Sequence, residues 1–143
     1  MGAAQDAVKT VKLLHKIFLG SIALYAYVGE VFPHTDAAPE ALKLFRIAFF
    51  AAAAANIVLA LFFRRKMVEA PEEQLMRDAA DSEALTRWRG GNLVTFVFCE
   101  TVALFGFALR FLGAPLRDAG AFYVIAAVLL VLWAPRGEFA RQT

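Results

Sequence analysis

Four apolar runs, at about 13–32, 41–63, 92–112 and 116–134, dominate this chain of 143 residues. An α-helix needs roughly 20 apolar residues to cross a hydrocarbon core of about 30 Å. Inside lipid the backbone must also satisfy its own polar groups, which a helix does and an open strand does not. Each run has the required length, so the sequence predicts an all-α membrane protein, a four-transmembrane-helix bundle forming one domain over 1–143. Composition agrees: 60% of residues are hydrophobic, against about 45–50% in soluble domains. A net charge of +2 is too small to imply a nucleic-acid partner. Cys99 is the only cysteine, which excludes an internal disulfide and a cysteine-based metal cluster.

The first run follows Lys9, Lys12 and Lys16 and is stopped by Pro33. A basic entry and an apolar middle also describe a signal peptide, but no A-x-A cleavage pattern follows, so cleavage is not expected. Asp6 stands where a myristoylation pattern asks for Ser or Thr, so lipid anchoring is not indicated. The second run carries Lys43 and Arg46 near its start and ends abruptly at Arg64-Arg65-Lys66. The loop 64–91 is the most charged part of the chain. Within it Pro71, Glu72 and Glu73 make a helix start, and Leu75, Met76, Ala79, Leu85 and Trp88 recur at near-helical spacing before Gly90-Gly91 provides a stop. A short amphipathic cytoplasmic helix is expected there, at the lipid headgroups or docked beneath the bundle. The last run opens at about Ala114 or Ala119 and is closed by Pro135-Arg136. Its Tyr123 and Trp133 are expected at the lipid interfaces.

Eleven of the fifteen Lys and Arg residues fall in the N-terminus, the loop 64–91 and the tail, leaving Lys43, Arg46, Arg110 and Arg117 opposite. The positive-inside rule then predicts a multi-pass protein of the cell (inner) membrane with both termini and the long loop in the cytoplasm. No repeat relates the two halves.

A buried ionisable side chain costs at least about 2.5–3.5 kcal/mol on insertion scales, so such residues point to function. Glu100 lies about nine residues beyond Gly91, roughly 13 Å into the third run at 1.5 Å per residue and close to the bilayer midplane. Asn56, about eight residues before Arg64 on the antiparallel second run, reaches nearly the same depth. The expectation is that the two meet, with Glu100 neutral at rest, donating to the Asn56 amide or exchanging a proton with a file of water. A purely structural hydrogen-bonded pair is the alternative. Thr95 and Thr101 are candidates to line the same route. Cys99, Ala103, Gly106 and Gly113 make a small-residue packing stripe, for a helix of this chain or of another copy. Arg110, on that stripe, is expected to snorkel to the outer headgroups, and Cys99 to be a packing residue. Glu30, His34 and Asp36 are a candidate titratable cluster at the outer mouth, with solvated interfacial charges as the alternative. His15 and His34 stand at opposite ends of the first run, so a bis-His haem within one chain is excluded, and no cofactor or metal is expected.

The stretch Glu100-Thr101-Val102-Ala103-Leu104-Phe105-Gly106-Phe107 resembles the carboxylate-bearing helix of rotary ATPase proteolipid subunits: an acid, then small and aliphatic residues, then an aromatic-Gly pair. The resemblance covers about a dozen residues and lacks that family's glycine-rich partner helix. It implies that Glu100 carries a proton or cation. Two functions follow as expectations. In one, Glu100 serves proton or small-cation translocation, in a channel or ion-coupled transporter. In the other, the chain is an accessory or assembly subunit whose Glu100 makes an intersubunit hydrogen bond. Both call for the lipid bilayer and either a homo-oligomer or a larger membrane complex. An enzyme is not indicated, because H-E-x-x-H, a Ser-His pair at matching depth and a phosphate loop are all absent from the sequence.

Overall fold

The computed structural model describes residues 2–32 and 34–141. Pro33, the expected stop of the first run, lies outside the described residues. Every regular element among them is helical: α1 (Ala3–Val31), α2 (Pro39–Arg64), a π-turn (Arg65–Glu69), α3 (Ala70–Arg77), α4 (Ser82–Phe111), α5 (Leu116–Leu132) and a closing 3-10 turn (Glu138–Arg141). Three helices are long and apolar enough to cross a membrane: α1, the continuous helix Pro39–Arg77, and α4. The fourth apolar run forms α5, of 17 residues.

α4 is the central helix and packs against α1, α2, α3 and α5, while α1 also touches α5. Burial follows this plan: 11% of the most apolar stretch is buried in α1 and in Pro39–Arg77, against 44% in α4. The outward faces therefore carry large apolar side chains, Leu24, Tyr27, Leu44, Ile47, Val58 and Phe62 among them. Such a surface suits hydrocarbon and far exceeds the apolar patches of soluble monomers.

The region 64–91 corrects the expected isolated helix. Pro71 has no N–H to give to the Met67 carbonyl, and its ring would crowd that group in a regular helix. The chain absorbs this one turn earlier, where the Ala70 N–H reaches back to the Arg65 carbonyl in π-register, so α2 and α3 run on as one helix. The break comes at 78–81 instead. Asp81 caps α4, its carboxylate accepting from the Glu83 and Ala84 N–H groups at 3.0 Å. Gly90-Gly91 is not a stop: α4 runs straight through it. A Cβ on Gly91 would collide with the Met67 carbonyl, so the glycine lets α4 press against the π-turn. Of the expected amphipathic stripe, Leu75, Leu85 and Trp88 are buried in a small core with Val68 and Phe139, where the Trp88 and Phe139 rings meet edge to face at 5.1 Å, while Met76 is exposed and Ala79 half-buried. This core joins the start of α1, α3, the start of α4 and the C-terminal segment at one end of the bundle.

At the other end, Gly113 ends α4 with φ +92, a left-handed cap that L side chains avoid. The Thr35 N–H and hydroxyl both donate to the Phe111 carbonyl, at 2.9 and 2.8 Å, tying the α1–α2 connection to that cap. Tyr123 does not face outward as expected. It is buried, with its hydroxyl beside Gly29 of α1. Trp133 is half-buried, and the Arg64 guanidinium lies 5.8 Å from its ring centroid.

Candidate functional site: a carboxyl between two hydroxyls

Glu100 sits midway along the apolar part of α4, half-buried on the side facing α1. Ser21 and Tyr25 are four residues apart on α1, so their hydroxyls lie one above the other on one face. Both reach the same carboxyl oxygen: Ser21 Oγ donates to Glu100 Oε1 at 2.8 Å and Tyr25 OH donates to it at 2.6 Å. Aromatic rings bracket the site along the helices. Phe18 and Phe96 pack at 5.7 Å on one side, and Tyr25 and Phe107 at 6.0 Å on the other. Toward the α3 end, His15 Nε2 donates to the Leu130 carbonyl at 2.9 Å, joining α1 to α5.

Ser21 Oγ also lies 2.8 Å from the Phe18 carbonyl. A serine has one hydroxyl proton, so it serves one of these acceptors at a time. With Glu100 ionised, Ser21 and Tyr25 both donate to Oε1. With Glu100 protonated on Oε1, the carboxyl donates to Ser21 Oγ, Ser21 turns its proton to the Phe18 carbonyl, and Tyr25 still donates to Oε1. The same heavy-atom arrangement satisfies both states. Both hydroxyl bonds fall on Oε1, not Oε2.

Asn56 and Glu100 are not brought together. The Asn56 amide donates to the Phe98 carbonyl at 2.6 Å. It lines a mostly apolar groove of ≈ 270 Å³ between α2 and α4 with Val97, Phe98 and Thr101. Helical rise fixes depth, but which way a side chain points depends on the neighbours, and α4 lies between α1 and α2. Glu100 faces the first and Asn56 approaches from the second. Thr95 and Thr101 give their hydroxyl protons to their own helix, to the Gly91 and Val97 carbonyls at 2.8 Å each, and neither bonds Glu100. Cys99 is buried with Ala103 and Gly106. The stripe they form packs within the chain: a Cβ on Gly106 would come to 2.7 Å from the Ala119 carbonyl oxygen of α5.

Arg110 is half-buried near the C-terminal end of α4. It grips Glu30 with two parallel bonds, Nε to Oε1 at 2.6 Å and Nη2 to Oε2 at 3.0 Å, and its Nη1 donates to the Ala114 carbonyl at 3.0 Å. Of the expected cluster of Glu30, His34 and Asp36, the first two lie close enough for their charges to interact. Glu30 is held by Arg110, and His34 Nε2 donates to the Gly29 carbonyl at 2.6 Å, capping an orphan acceptor in the last turn of α1. Asp36 is exposed. A second bridge at this end, Arg46 to Asp118 at 2.8 Å, ties α2 to α5.

Sequence reasoning missed Ser21 and Tyr25. The signal was there: two hydroxyls at i and i+4 in the first run, at the depth of Glu100 when both helices are counted from the same end. No protein-family model, curated protein or solved structure matches this chain.

Proposed function

We propose that this is a four-span protein of the inner membrane, with both termini inside, that moves protons through reversible protonation of Glu100. The short α5 is the fourth span: its 17 residues rise about 25 Å, the lower limit for crossing. The observation that carries the reading is the position of Ser21 Oγ, 2.8 Å from both Glu100 Oε1 and the Phe18 carbonyl. A carboxyl whose hydrogen-bond partners fit it with and without its proton can load and unload without rebuilding the helices around it. A small metal cation is a poorer match, because cations gather several oxygens around one point, whereas here two hydroxyls aim their protons at one carboxyl oxygen. Glu100 meets α1 through Ser21 and Tyr25, so exchange at Oε2 takes place at the seam between α1 and α4, and a second copy or a partner helix completes the route.

That last point favours a second reading in part: an accessory subunit in which a partner donates to Glu100 Oε2. Proton flux in liposomes separates the two. Wild type should dissipate a pH gradient, and Glu100→Gln, which keeps the shape but loses the titrating group, should reduce the rate at least ten-fold. Equal leak in both proteins removes the transport reading and leaves the accessory one.

A further inference from the structure

The two histidines of the chain are held alike: His15 Nε2 lies 2.9 Å from the Leu130 carbonyl oxygen and His34 Nε2 lies 2.6 Å from that of Gly29. A carbonyl oxygen only accepts, so in each ring Nε2 carries the proton and Nδ1 is left as the basic nitrogen. They differ in their distance from Glu100. His15 precedes Ser21 by six residues on α1, about 9 Å at 1.5 Å per residue, and its ring packs on Phe96 at 5.4 Å. Phe96 stands one turn from Glu100 on α4 and also meets Phe18, at 5.7 Å. The His15 imidazole therefore lies one to two turns from the carboxyl, across a pair of phenyl rings in the same α1–α4 seam. His34 comes nine residues after Tyr25, beyond the end of α1. Further toward the α3 end, α4 carries two fully buried polar atoms with no hydrogen-bond partner among the described residues, Asn92 Oδ1 and Trp88 Nε1, one and two turns beyond Phe96. One accepts and the other donates, and buried atoms of this kind are ordinarily matched by ordered water.

We propose that His15 passes protons between the α3 end of the bundle and Glu100. Histidine is the side chain suited to gaining and losing a proton near neutral pH. A proton taken from water at the α3 end binds Nδ1 and makes the imidazolium. The imidazolium gives that proton to the Glu100 carboxylate through one or two waters admitted between the Phe18 and Phe96 rings, at about 2.8 Å per bond. The ring returns to neutral imidazole, and its Nε2 bond to the Leu130 carbonyl is kept throughout. Unloading toward this end runs the same steps in reverse. His15 has this role only if Glu100 carries protons as proposed above.

The test is proton flux in liposomes together with thermal unfolding of the purified full chain in mild detergent. His15→Gln keeps an amide N–H to offer the Leu130 carbonyl but cannot take up a proton. It should lower flux at least about ten-fold, the low side of what a positioned proton-transfer group contributes, with a melting temperature within about 3 °C of wild type. His34→Gln makes the same change at the other end of α1 and should leave flux near the wild-type rate. Adding His15→Gln to Glu100→Gln should cost no further flux, because both residues act on one path. His15→Asn, with a shorter amide, serves where Gln disturbs folding. Wild-type flux in whichever His15 variant keeps the wild-type melting temperature would overturn the role of His15 and leave that of Glu100 standing. A loss of the same size in His34→Gln, or a further loss in the double variant, would also overturn it. Wild-type flux that Glu100→Gln does not lower would remove the role of the carboxyl and that of His15 with it.

Discussion

Glu100 has two neighbours whose removal should have different consequences. Tyr25 donates to Oε1 whether or not the carboxyl is protonated, so Tyr25→Phe should destabilise the protonated state by about 0.5–1.5 kcal/mol and the ionised state by about 1.5–3 kcal/mol in unfolding experiments, the usual net values of a hydrogen bond to a neutral and to a charged group. Ser21 exchanges roles between the two states, so Ser21→Ala should slow proton flux several-fold while costing no more stability than Tyr25→Phe. Equal flux in Ser21→Ala and wild type would remove Ser21 from the proton path. The sequence singled out Glu100 from the expected cost of an acid in an apolar run, and that reasoning needs one helix only. It failed on the partner, because Asn56 and Ser21 stand at similar depths and depth alone cannot choose between them. Arg110 shows the same limit: one helix read alone does not reveal Glu30, eighty positions earlier, which holds it in a two-bond pair.

Glycines test how the helices meet. Gly90 and Gly91 are adjacent on α4 yet face different surroundings: nothing lies within 4 Å of a Cβ on Gly90, while Gly91 presses on the Met67 carbonyl. Gly90→Ala should therefore stabilise the protein by about 0.5–1 kcal/mol through helix propensity. Gly91→Ala should destabilise it by about 1–3 kcal/mol, the range for overpacking. Denaturation in detergent that finds the two substitutions equivalent would contradict the close approach of α4 to the π-turn. The four apolar runs were legible because length and composition decide them. The Gly-Gly pair was misread because its sequence signal, a helix stop, was outweighed by the Asp81 cap upstream and by packing against Met67. Pro71 was likewise read as the start of a separate helix, since a shift into π-register leaves no mark in the residue pattern.

At the scale of the molecule, α1 and α2 pack on α4 and turn most of their apolar surface outward, and α1, α3 and the chain's C-terminal segment meet at one end. In the proposed topology, which rests on the charge asymmetry, that end faces the cytoplasm. In a Cys99→Ser background, Asp36→Cys should react with an impermeant thiol reagent added outside intact cells, and Arg65→Cys should react only after the membrane is opened. The reverse pattern would invert the topology. Reversible protonation of Glu100 is measured most directly by infrared difference spectroscopy of the protein in lipid across a pH titration. A carboxyl C=O band that appears on acidification, is absent in Glu100→Gln and changes frequency in Ser21→Ala is the predicted result. A wild-type spectrum in which every pH-dependent carboxyl band survives Glu100→Gln would contradict it.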